Sequence, residues 1–156
     1  MSSTKIIKSS DRSILIDDLN TDEYSVIWDP EPSTNLKATG DIATMQVDTN
    51  GTGFGAALYM ASDGHYDEAD ADAAATMPCT VLALETGAGA KKVLLKGFIR
   101  NDSWNWTPGA LLYVSTTAGA LTATKPAGSG DQVQVVGYAT HADRIYFNPN
   151  YAIAEV

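Results

Sequence analysis

The sequence predicts an all-β protein: a compact β-sandwich or β-barrel domain with an extended N-terminal arm. Three observations predict it. Short apolar runs recur with turn residues between them roughly every ten residues, the spacing of sandwiches and barrels. Residues 40–48 alternate with a period of two, Ile42, Thr44 and Gln46 against Ala43, Met45 and Val47, which gives a half-buried strand. The one helix-compatible stretch, residues 67–76, is short and alanine-rich with acids toward its start, and Met77-Pro78 stops it. A single turn or an irregular loop is expected there.

The chain has 156 residues and is 44% hydrophobic, enough for one domain with a real core. Residues 1–35 differ from the rest and read as an arm, leaving 36–156 as the β-domain. The arm opens polar and basic, with Lys5, Lys8 and Arg12, and continues into the apolar run Ser13-Ile14-Leu15-Ile16. Residues 17–22 read as a turn or short cap, and 23–28 as a strand rich in β-formers. Pro30 and Pro32 then break structure twice, as a linker would. This segment has too little apolar surface to fold alone. It either packs back on its own domain as an edge or completes a neighbouring surface by adding a strand.

The β-domain follows in order. Asn50-Gly51 signals a hairpin between residues 40–48 and a returning strand at 55–61. Residues 79–85 form a buried-type strand and 91–100 another, in which Gly97 marks a bulge or a close backbone approach. Residues 101–109 are a loop with two tryptophans, and Pro108-Gly109 turns it into a strand at 111–115. Shorter strands are expected at 121–124, 133–139 and 145–147, for about ten in all. No internal repeat is evident.

The net charge of −9 disfavours a phosphate-backbone partner, so nucleic acid is not expected. No apolar h-region follows Met1 and no apolar run has the length of a membrane span. Synthesis in a cytoplasm, no classical export and no membrane partner are the expectations. The single cysteine, Cys79, permits no intrachain disulfide and reads as a buried structural thiol.

Little of the chain points to chemistry. His65, beside Asp63 and Asp67, and His141, beside Asp143, read as turn residues in water. Zinc needs tighter ligand spacing and a second cluster. The acids Asp63, Asp67, Glu68, Asp70 and Asp72 do not fit a calcium-loop register and read as a solvated loop. Asp102, between Arg100 and the tryptophans, is the one place with the flavour of glycosidase chemistry. Trp104 and Trp106 lie two apart and face one side of an extended segment. They either bury in an oligomer interface or core, where tryptophan is enriched, or stack on a ligand such as a sugar. No catalytic residue, metal ligand or cofactor-binding residue is expected.

One set of segments, taken together, carries a family likeness. It comprises Gly40-Asp41-Ile42, Met77-Pro78 before an apolar strand, Lys96-Gly97-Phe98-Ile99 and Thr107-Pro108-Gly109-Ala110-Leu111-Leu112-Tyr113-Val114-Ser115. Gly119-Ala120-Leu121-Thr122 before Pro126, Gln134-Val135-Val136-Gly137-Tyr138-Ala139 and Ile145-Tyr146-Phe147-Asn148-Pro149 complete it. The set resembles a small β-domain of tailed-bacteriophage structural proteins, among them capsid decoration (cement) proteins and some tail-fibre or appendage proteins. The likeness spans residues 37–149 and leaves the arm outside. It implies a virion protein, a homotrimer without an enzymatic site.

Tail fibres are long, with coiled-coil or repeat shafts, and this chain has no heptads. The expectation is therefore a non-enzymatic decoration protein that binds the major capsid protein on the outer capsid surface. Lys5, Lys8 and Arg12 would meet acidic capsid surface, and Ile14, Ile16, Tyr24 and Trp28 would supply apolar burial there or between subunits. The alternative is a tail-fibre or head-appendage domain that binds a host receptor or glycan.

Overall fold

A computed structural model describes the backbone of residues 5–9, 12–20, 23–48 and 53–156, with side chains from residue 28 onward within those ranges. The first three strands, β1 (Lys5–Ser9), β2 (Arg12–Asn20) and β3 (Glu23–Ile27), form an antiparallel sheet of their own. Its register sets Ile16 opposite both Lys5 and Val26, and Leu15 opposite both Ile6 and Ile27. The expected turn at residues 17–22 is corrected, since β2 runs on as strand through Asn20. Run length decided it: the ladder with β3 starts at the β-formers Leu15 and Ile16 and continues through the two aspartates.

The domain proper is built from β4 (Lys37–Val47), β5 (Ala57–Met60), β6 (Tyr66–Glu68), β7 (Cys79–Ala83) and β8 (Gly89–Arg100). Hydrogen bonding runs β8-β4-β6-β5-β7, and β7 pairs again with β8 through Leu82↔Leu94 and Ala83↔Val93. These five strands therefore close a barrel, which removes their free edges. The expected hairpin between residues 40–48 and 55–61 does not form a ladder. The turn itself, 49–52, lies outside the described residues, and β6 sits between β4 and β5. The acid-rich segment 67–76, expected as a single turn or an irregular loop, begins in β6 and then runs as a loop into a single 3₁₀ turn at Ala74–Thr76, before the Met77-Pro78 cis peptide.

Past the barrel, β9 (Leu111–Val114), β10 (Leu121–Thr122), β12 (Val135–His141) and β13 (Arg144–Phe147) extend the sheet from the C-terminal half of β8, in the order β10-β9-β12-β13-β8. A small ribbon of β11 (Gln132–Val133) and β14 (Ala154–Glu155) completes the fold.

The period-two alternation sorts the barrel strands' side chains into two cores. Val47, Tyr66, Leu58, Val81 and Val93, one from each barrel strand, form a cluster that fills the barrel. Ala57, Leu82 and Leu94, their alternate neighbours, face outward and pack with Ile99, Leu112, Val136, Ile145 and Phe147 of the sheet extension. Strands β7 and β8 are thus buried on both faces. This explains why residues 79–85 read as a continuous apolar run.

The long ladder of β4 and β8 turns this corner at two glycines. Gly40 and Gly97 are register partners with φ of +144° and +148°, and a Cβ on either would lie 2.7 Å from the other's Cα. A bulge follows at once, since Asp41 pairs with Lys96 and Ile42 with Leu94. There β8 leaves its pairing with β7 and takes up β13.

Candidate functional site

The tryptophan loop is shaped by one asparagine. Asn101 Oδ1 accepts from both the Ser103 N–H (3.0 Å) and the Ser103 hydroxyl (2.7 Å), and its side-chain amide donates to the Phe54 carbonyl at 3.4 Å. The Trp104 N–H returns to the Asn101 carbonyl, and the Trp106 N–H to that of Ala142. The two indoles meet at 5.9 Å between ring centroids with an interplanar angle of 52°, and both pack partly on the larger core. Gly55, at φ +86°, passes beneath Trp104, where a Cβ would lie 2.7 Å from the ring.

Together with Phe54, Leu121, Gly119 and Glu68, the tryptophans line a cleft of about 330 Å³. Among the described residues that line it, Glu68 is the only charged one. Burial, then the neighbouring Asp67 charge, push the Glu68 carboxyl above the ordinary carboxylate range. Among the described residues that carboxyl has no hydrogen-bond or ion-pair partner. The reading of Glu68 as one more solvated loop acid is therefore corrected: strand β6 carries it against Gly119 in the cleft. Phe54, Gly55 and Gly119 were also missed. Residues 53–55, Gly-Phe-Gly, carried the one usable signal, an aromatic between glycines.

Asp102 does not line the cleft. Its Oδ1 accepts from Arg100 Nε at 2.6 Å, in a charged cluster on the outer face of β8 and β13. Arg100 Nε also lies 3.1 Å from Asp143 Oδ2, while Asp143 Oδ1 meets Arg144 Nε at 3.0 Å and His141 Nδ1 at 2.7 Å. His141 is thus a partner of Asp143 rather than a free turn residue. His65 is held similarly, its Nδ1 2.8 Å from Asp48 Oδ1 and its N–H donating to Asp63 Oδ1 at 3.0 Å. Asp48, Asp63 and His65 bring their ligand-type atoms within 4.8 Å of one another, and these contacts account for the grouping.

The charged cluster holds the proline segment. Arg100 Nη1 donates to the carbonyls of Pro32 and Ser33 at 3.3 Å, Arg144 Nη1 lies 3.6 Å from Glu31, and the Asp102 N–H donates to Asn35 Oδ1 at 2.8 Å. The Thr39 hydroxyl donates to the Asp29 carbonyl, and Pro32 is buried. Residues 29–35, expected as a plain linker, are instead clamped on the sheet. Trp28 is half-buried, with Lys96 Nζ 5.9 Å from its ring centroid. For Lys5, Lys8, Arg12, Ile14, Ile16 and Tyr24 the backbone lies in β1 to β3, and their side chains lie outside the described residues.

Among the described residues, no helix is long and apolar enough to cross a membrane. Compared with known proteins, the chain matches no family model, no curated protein and no solved structure.

Proposed function

We propose that this protein is a non-enzymatic structural component of a bacteriophage virion: a decoration protein that binds the major capsid protein on the outer shell as a homotrimer and stabilises it. One observation carries the reading. The three-stranded N-terminal sheet has no strand pairing, among the described residues, with the closed barrel, and the segment that joins them is clamped by Arg100 and Arg144. A rigid body that holds the root of a separate sheet suits an arm that grips another surface. The likeness of residues 37–149 to phage β-domains supplies the identity of that surface. At about 25 cal/mol per Å² of apolar area, a few anchors such as Ile14, Ile16 and Tyr24 repeated in three copies would add several kcal/mol to shell stability before association costs.

Removing residues 2–27, which leaves Trp28 and the clamp intact, tests this. The shortened protein should fold, keep its trimeric mass and fail to bind purified capsids. Normal decoration by the shortened protein would overturn the arm model. Binding to host cells in place of capsids would assign the chain to a tail or head appendage.

A further inference from the structure

The cleft of Trp104, Trp106, Phe54, Leu121 and Glu68 has a chemistry that selects among ligand classes. At about 330 Å³ it is at the lower end of small-molecule sites. Several of its backbone polar groups are already used: the Ala57 N–H donates to the Gly119 carbonyl, the Gly119 N–H to Ala69 and the Gly55 N–H to Ala83. What remains is the Glu68 carboxylate, which has no hydrogen-bond partner among the described residues, and beneath the surface the buried Trp106 Nε1, a donor with none among them either. A sugar, with a hydroxyl on most carbons, would lose more hydrogen bonds to water than these two groups restore. A quaternary ammonium has no N–H donor and asks for no hydrogen bonds, and a primary one, as in lysine, can donate to the Glu68 carboxylate. Both ask for negative charge and for aromatic faces within about 6 Å. Two indoles whose planes are inclined at 52° line the cleft, and the one charged group among its described lining residues has the complementary sign.

We infer that this cleft binds an organic ammonium group, held by cation–π contact with Trp104 and Trp106 and by the charge of Glu68. The elevated pKa of Glu68 supports this, since a bound cation would offset the desolvation of its carboxylate. The inference does not depend on where the protein acts. The ammonium has two possible sources: a quaternary headgroup such as choline, or a lysine side chain on a partner protein.

Amide and indole NMR shifts of the full chain test it, with choline, its neutral isostere 3,3-dimethylbutan-1-ol, Nα-acetyl-lysine amide and glucose as probes. Saturable shifts at Gly55, Gly119 and the indole N–H groups of Trp104 and Trp106 are expected with choline or with the lysine amide. The one that binds more tightly names the source. The neutral isostere should bind roughly tenfold more weakly than choline. Glu68→Gln should weaken ammonium binding by about the same factor. Equal binding of choline and its isostere, stronger binding of glucose, or no shift with either cation at tens of millimolar overturns the inference. The isostere comparison uses the unaltered protein, so it stands whether or not the Glu68 variant folds.

Discussion

The side chain of Gln134 bonds both backbone groups of Cys79. Gln134 Oε1 accepts from the Cys79 N–H at 2.8 Å, and its Nε2 donates to the Cys79 carbonyl at 2.7 Å and to the Asn150 carbonyl at 2.8 Å. The glutamine is 1% exposed and acts as a one-residue strand at the start of β7, where Tyr59 of β5 pairs with Cys79 but the β7–β8 pairs, at Leu82 and Ala83, do not extend. Truncating it would leave the buried Cys79 N–H and carbonyl without these partners and the part-buried Asn150 carbonyl without its donor. Gln134→Leu, nearly the same volume, is expected to cost about 2–4 kcal/mol, read as a lower denaturant midpoint with an unchanged m-value. A change below about 0.5 kcal/mol would mean that water replaces these bonds.

The Gly40–Gly97 contact sets a second expectation. Gly97→Ala combines a disfavoured φ with a collision against the Gly40 backbone, which cannot rotate away, and should cost more than about 3 kcal/mol. Gly64→Ala is the control: φ is +86°, but nothing lies within 4 Å of the added methyl. It should cost only about 1–2 kcal/mol. Thermal melts of the two variants separate strain from collision, and equal losses would show that the glycine crossing relaxes.

The sequence was legible where local pattern decided the structure. The Ile42/Met45/Val47 strand, the close approach at Gly97 and the buried Cys79 are all properties of a residue and its immediate neighbours. The pattern failed where partners come from far along the chain. Nothing near Glu68 indicates that Trp104 and Gly119 surround it, and nothing near Gln134 points to Cys79, fifty-five positions away. The Asn50-Gly51 pattern carries no information on which strand sits next to β4. The aspartates of β2 and the prolines of the clamp misled for the same reason: local propensity was outweighed by strand pairing in one case and by Arg100 in the other.

Cys79 should behave as an inert thiol. Burial, opposed by the backbone hydrogen bonds of Leu58 and Val81, pushes its pKa up to about 12. A thiol reagent at mildly alkaline pH is expected to leave the native protein unlabelled and to react only as fast as the protein unfolds in denaturant. Rapid labelling of native protein would mean that β7 opens locally.

Asp143 makes the fold acid-sensitive in a defined window. Burial alone would raise its pKa, but hydrogen bonds from Arg144 and His141 and the charges of Arg144 and Arg100 outweigh it and hold the carboxyl at about 2, against an ordinary 3.8. Because the folded-state pKa is the lower one, the unfolded chain takes up this proton first. The stabilisation is therefore complete above about pH 4 and is lost as pH falls from there through about 2. Asp143→Asn should lower stability by about 1–2 kcal/mol at neutral pH, reading the loss as that of partly exposed charge-assisted bonds. The variant should also flatten the acid limb of the stability curve. An acid limb equally steep in both would move the sensitivity to another carboxylate, with Asp63 the next to test, since the His65 N–H holds its pKa below the ordinary value.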